Sequence, residues 1–432
     1  MTSHKYLSKK KGAAYTFFSG LRTAILPSVC IALLELLVFA IAPAFTLSEK
    51  KKSLGAASTE KLSDTIKFFT SIFEERFLCY AVLISVALLS ITAAVILLRF
   101  MADKHTVNVY YSLGIKRRTL FLSRWFSGAV MLTVPPVLAV TAGFIVNLIY
   151  LKLSWQLSVA YLHIFLGMWI FSLLCFSVSA AVFSSVGTVS EGIFYSVGVL
   201  AFPSAVLLAL QNLLTAFIPA ATFKSQIRTF GTSGFFDSLT GQSLLTKFSR
   251  YNPVLFFADD LFGYSCGTVK QSQLLLADST PFAFPNFGIS LFWIPVIVII
   301  TVIGCVFFVR RNAEKCGFLN TNKVLANAVL FELIMAAVAI PLTEINYYPL
   351  KDLFIGSAIA AFVIYILFEI FLKRNFKLIV KSCYKFAAHA AVIGIIIGIF
   401  SSGLFGYAKY VPDTSDVRAA AVAVPVWGSS LD

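Results

Sequence analysis

Residues Arg99–Phe126 read RFMADKHTVNVYYSLGIKRRTLFLSRWF. The stretch carries six cations, Arg99, Lys104, Lys116, Arg117, Arg118 and Arg124, against one acid, Asp103. An apolar run long enough to cross a bilayer stands on each side of it, residues 77–98 before and 127–150 after. A basic island between two such runs reads as a connecting loop of a polytopic membrane protein.

Composition agrees. Hydrophobic residues make up 59% of the 432 and charged residues 13%, with mean hydropathy +0.86. A soluble domain is nearer half apolar and a quarter charged. The apolar runs are about 20 residues long, which fits helices rather than the short alternating strands of a barrel. The expected fold is all-α and polytopic, with about nine transmembrane helices: 23–45, 77–98, 127–150, 158–183, 193–217, 289–309, 325–345, 352–372 and 386–407. A basic segment, 1–22, precedes them and is expected to form an amphipathic interfacial helix. The longest connection, 218–288, is semi-apolar and holds YNPVLFFADDLFGY at 251–264, so short or re-entrant helices are expected there.

The net charge of +15 first brings nucleic acid to mind. Its distribution argues otherwise. With residue 1 placed in the cytoplasm, the inside segments hold 20 Lys/Arg against 3 acids, and the outside segments 15 against 14, with Glu344 and Asp352 at outer span ends counted outside. The positive-inside rule then puts the amino terminus inside and the carboxyl end outside. The basic character thus answers to a membrane, and no nucleic-acid partner is expected.

Chemistry-bearing motifs are sparse. The chain has no G-x-x-x-x-G-K-[ST], no G-x-S-x-G and no H-E-x-x-H, so neither a nucleotide-phosphate cradle nor a familiar hydrolytic site is indicated. The seven Cys and four His are scattered, with no C-x-x-C pair, and neither a metal site nor a cofactor is expected. Apart from Glu344 and Asp352 at outer span ends, three carboxylates lie inside expected spans: Glu35, Glu332 and, near a span end, Glu369. A charge at a helix centre costs about 2.5–3.5 kcal/mol. Glu35 and Glu332 are therefore expected to be protonated, paired or turned to a polar interior, as an ion site or as a helix–helix hydrogen bond. No Lys or Arg falls inside any expected span. Pro135-Pro136 removes two backbone donors from the third span and is expected to kink or locally unwind it.

Within the island, Asp103 can cap a short helix bearing Val107, Tyr110 and Tyr111 on one face. Ser112-Leu113-Gly114 breaks that helix, and Ile115, Lys116, Arg117 and Arg118 restart one at the membrane boundary. The apolar–aromatic face is expected to form a knob for a cleft on another protein; a loop held by anionic lipid is the other reading.

The stretch Ser112-Leu113-Gly114-Ile115-Lys116-Arg117-Arg118, followed by Thr119-Leu120-Phe121, resembles the coupling region of bacterial ABC export permeases of the type-two class, with Gly114 where Pro is usual. Arg310-Arg311-Asn312-Ala313-Glu314-Lys315-Cys316-Gly317 looks like the Arg-x-x-Glu-x-x-Gly stretch that follows the sixth helix in a Gram-positive subgroup. The resemblance implies a six-helix membrane domain over 23–309 with its coupling loop at 99–126. Three added helices over 310–407 and the start of an external segment at 408–432 would follow, as would residence in the cell membrane. It implies a separate cytoplasmic ATPase gripping 103–118 and a second permease subunit, identical or paralogous. The competing readings are an ion-gradient-driven secondary transporter using Glu35 and Glu332, and a non-transport membrane sensor or assembly protein.

Overall fold

The computed structural model describes residues 9–42, 44–45, 48, 76–112, 115–150, 155–217, 252–258, 287–319, 321–341, 350–373 and 383–402. Every regular element among them is helical. The main helices are α1 (Lys9–Leu36), α2 (Arg76–Leu98), α3 (Lys104–Ser112), α4 (Arg117–Tyr150), α5 (Trp155–Ser185), α6 (Val189–Phe217), α7 (Pro253–Ala258), α8 (Phe287–Arg310), α9 (Lys323–Ala339), α10 (Leu350–Lys373) and α11 (Cys383–Ser401). Eight of these are long and apolar enough to cross a membrane. The seventh expected span instead forms α9, a helix of 17 residues. At 1.5 Å per residue it is about 25 Å long, short of the ~30 Å hydrocarbon core.

The chain is therefore an all-α polytopic membrane protein, and α5 is its axis. It packs against α2, α4, α6 and α8, and most of its span is buried while little of α11 is. Four of its serines, Ser172, Ser177, Ser179 and Ser184, are buried. Small residues let apolar helices approach closely where water supplies no driving force. Beyond this bundle α9 packs on α6 and α10, and Asn212 of α6 donates to the carbonyl of Ala339 at the end of α9, at 3.0 Å. Short α7, within the stretch expected to hold short helices, packs on α5 and α6 and stacks Phe257 against Phe171 and Trp293.

Three boundaries differ from expectation. The basic segment 1–22 is not a separate element over residues 9–22: α1 runs through it without a break at residue 22. Helix α4 begins at Arg117, where the sequence has a helix restarting, but the apolar span it forms also starts there rather than at residue 127. Its first turns are therefore basic, and Arg124 lies inside the span rather than in a loop. Pro135-Pro136 does not interrupt α4, which remains helical from Arg117 to Tyr150.

Neighbouring α1 explains how the prolines are tolerated. It runs parallel to α4, with Thr16 hydrogen-bonded to Ser123 at 2.8 Å near one end and Phe39 beside Gly143 near the other. In a regular helix the N–H of residue 135 would bond the carbonyl of Met131; proline has no such N–H. The Ser28 hydroxyl donates to that carbonyl instead, at 2.7 Å. Higher up, α1 opens into a π-helical turn, Leu37–Ile41, and presses the carbonyl of Phe39 towards Gly143, where a Cβ would overlap it. Such turns interrupt α-helices locally and recur at functional sites.

Candidate functional site: the basic end of the bundle

Three helices, α2, α5 and α8, end at one end of the bundle, and α4 and α6 begin there. A helix C-terminus exposes carbonyls without intrahelical donors and carries partial negative charge. Three such ends brought together need cations, and two arginines supply them. Arg311 is buried. Its Nη1 donates to the carbonyl of Phe183 near the end of α5 at 3.0 Å, and its Nη2 to that of Met101, just beyond α2, at 2.9 Å. Arg117 donates through Nη1 to the carbonyls of Val309 and Arg311 at 3.1 and 3.0 Å, closing the end of α8.

Burial draws the Arg311 guanidinium below its usual range, and Cys316, Tyr111 and Glu191 pull it back. Arginine stays cationic in proteins. Glu191, fully buried in the first turn of α6, accepts from the N–H of Gly187 at 3.4 Å. The chain after α8 returns to this junction. Gly317 adopts φ +81°, a left-handed conformation open to glycine at little cost, and donates its N–H to the carbonyl of Gly187 at 2.9 Å. In the Arg-x-x-Glu-x-x-Gly stretch, Arg311 and Gly317 thus tie the helix ends together, while Glu314 is exposed.

Helix α3 lies across this junction. The side chain of Asp103 accepts from the N–H of His105 at 3.2 Å, which starts the helix. The spacing of Val107, Tyr110 and Tyr111 does make one face, but that face turns inward. Val107 is buried. Tyr110 stacks on Phe100 with centroids 4.5 Å apart, and its hydroxyl accepts from Arg124 Nη2 at 2.7 Å. Tyr111 meets Phe308 of α8 edge-on, and the Arg117 guanidinium sits 4.2 Å from its ring centroid. Burial raises the Tyr111 phenol above its usual pKa, with Arg117 and Arg311 opposing that rise. The expected knob for another protein is therefore the anchor that holds α3 to its own bundle. The cluster beneath it buries Leu98, Met101, Leu120, Phe121 and Phe183, and apolar surface inside one chain needs no partner. The outward face of α3 carries Lys104, His105, Asn108, Val109 and Ser112.

Of the remaining site residues read from the sequence, Leu113 and Gly114 lie outside the described residues. Lys116 and Arg118 are exposed, and the side chain of Ile115 lies within about 3 Å of where a Cβ on Gly12 would stand. Arg124, counted as a loop charge, is 3% exposed and spends its guanidinium on Tyr110 and Phe100. Glu35 is fully buried in α1 beside the π-helical turn, with neither carboxyl oxygen hydrogen-bonded. Glu332 lies in α9 against Gly198 of α6, with Oε2 buried and unbonded. Among the described residues, neither carboxylate makes a helix–helix hydrogen bond through these oxygens. Glu369 does find charge: Lys373 Nζ stands 2.8 Å away, and Lys385 Nζ of α11 3.7 Å. No group of three or more potential metal ligands occurs among the described residues.

Glu191 and Ser28 were not singled out by sequence reasoning. Arg311 entered only as part of the Arg-x-x-Glu-x-x-Gly resemblance, without the capping role, since a cation immediately after a span equally marks an exposed boundary charge such as Arg310. No family model matches the chain, and no curated protein matches it.

Proposed function

We propose that this chain is the membrane-spanning subunit of an ATP-driven exporter, coupled to a separate cytoplasmic ATPase through α3. One observation carries the reading. A single short helix has its inner face fastened to residues of three spans and their ends: Phe100 after α2, Arg117 and Arg124 of α4, and Phe308 of α8. Its outer face is exposed. A push on that face is transmitted to three membrane helices together, because aromatic stacking and charge-assisted hydrogen bonds resist separation. Coupling of chemistry to motion needs such a two-sided element. The resemblance of 112–121 to exporter coupling regions gives the motor its identity, and in that class the motor is a separate subunit. In this reading the basic end faces the cytoplasm, and a second permease subunit completes the translocation path.

The test is co-expression with a Walker-motif ATPase, where a neighbouring reading frame encodes one, with Val109→Cys as a cross-linking site on the outer face of α3. Co-purification, and a cross-link from the introduced thiol to the ATPase, are the expected outcome. Val109→Asp should abolish co-purification and leave the melting temperature unchanged. An ATPase that neither co-purifies nor cross-links overturns the reading. Uptake or efflux that follows an ion gradient and is lost in Glu35→Gln would support the secondary transporter instead.

A further inference from the structure

We propose that a cleft between α4 and α8 at the basic end binds one anionic phospholipid. The cleft has a volume of about 370 Å³ and is lined by Arg118 and Leu122 of α4 and by Val302, Val306 and Arg310 of α8, with Val309 beside them. That volume is within the range of small-molecule sites, about 300–1,000 Å³.

The charges in it are uncommitted. Arg118 and Arg310 are exposed, and neither makes a hydrogen bond or ion pair among the described residues. Their sequence neighbours Arg117 and Arg311 donate to the carbonyls that close helix ends. No acid lines the cleft. Below the arginines the lining is mostly apolar, with Thr301 and Cys305 beside Leu122, Val302, Val306 and Val309, and open: Val302 is 56% exposed, and Phe126, one turn beyond Leu122 and just outside the cleft, is 53% exposed. Arg118, Leu122 and Phe126 recur at four-residue intervals, as do Arg310, Val306 and Val302. Each helix therefore presents a stripe with a guanidinium at the membrane edge and apolar side chains below it. A phosphodiester at the edge with acyl chains running inward matches both parts. Basic pockets between spans at a membrane face are a known way of holding such headgroups.

A second copy of this chain fits the cleft worse. A two-fold contact there would bring four guanidinium groups together with no carboxylate among them. The proposal does not rest on coupling to an ATPase.

The experiment is native mass spectrometry of the full chain, titrated with phosphatidylglycerol and with phosphatidylcholine. Wild-type protein should retain one phosphatidylglycerol in preference to phosphatidylcholine. The double variant R118Q/R310Q should lose about tenfold of that preference, and R118K/R310K should keep most of it. Val306→Trp, which fills the apolar part and leaves both charges, should also displace the lipid. Equal phosphatidylglycerol binding by wild type and R118Q/R310Q overturns the proposal. So does displacement of the lipid by millimolar inorganic phosphate, which would mark a plain anion site. Cross-linking of Val302→Cys between copies in membranes, with lipid binding unchanged, would give the cleft to a second subunit.

Discussion

Arg310 and Arg311 are adjacent in the chain and opposite in the fold, and so are Arg118 and Arg117. One member of each pair points into the junction of helix ends, where it donates to carbonyls at the ends of α2, α5 or α8. The other points out, into a cleft with no acid and no carbonyl partner among the described residues. The same side chain at the same depth is a structural cap in one place and an unfilled binding group in the other. Position relative to the bundle axis decides, because helix C-termini converge inward and bilayer lies outward. Charge counts along the sequence treat the four alike.

The sharpest way to break this comparison is Arg311→Gln. It removes the cation from a buried site and leaves the carbonyls of Phe183 and Met101 without their donors. An unsatisfied buried polar group costs about 1–3 kcal/mol, and breaking a buried charged network about 3–5. The expected outcome is a loss of about 3–5 kcal/mol, read as a strongly lowered melting temperature and reduced yield in detergent. A variant that melts with wild type would show that water or lipid satisfies those carbonyls.

A smaller effect is expected at the anchor of α3. Tyr110→Phe keeps the ring on Phe100 and deletes only the hydroxyl that accepts from Arg124. Hydrogen bonds to charged groups contribute about 1.5–3 kcal/mol, and the loss should fall at the low end because the ring contacts stay. Hydrogen exchange offers a more selective readout than melting. Exchange of the α3 amides should quicken while those of α5 stay unchanged, since opening at one edge need not open the core. Uniform acceleration throughout the bundle would mean that α3 is no separable lever.

Much of the architecture was legible because a bilayer imposes it. Apolar runs of span length are forced to be helices, so the membrane class, most spans and the short helix at 104–112 could be read directly. What failed was direction. The spacing of Val107, Tyr110 and Tyr111 does mark one face of α3, yet periodicity cannot say whether that face meets the same chain or another. Charge misled at α4 for a related reason. The helical restart at 115–118 was legible, but Arg124 counts as a loop charge in the sequence; a buried arginine with an acceptor is compatible with a span, and that acceptor, Tyr110, comes from a different element. The repair of Pro135 by Ser28 was out of reach too, since it depends on the parallel register of α1 and α4. At the candidate site, the residue types were legible and the partners that define their roles were not.

The smallest effect should come from the outward pair, and its smallness is informative. R118Q/R310Q changes two charges at the same membrane edge as Arg311, in helices that carry the core. If net positive charge at this end were itself holding the helix termini together, losing two cations would destabilise the bundle noticeably. If only hydrogen-bonded cations matter, the double variant should melt within about 0.5 kcal/mol of wild type, as surface substitutions usually do. The second outcome is expected, because macrodipole effects fall off within the terminal turn and are screened at exposed positions. The measurement belongs in delipidated detergent, and again after phosphatidylglycerol is restored. Added lipid binds and stabilises only the folded chain, so wild type should gain in melting temperature where the double variant does not. A gap that appears only with lipid present assigns these arginines to the ligand, and one already present without lipid assigns them to the fold.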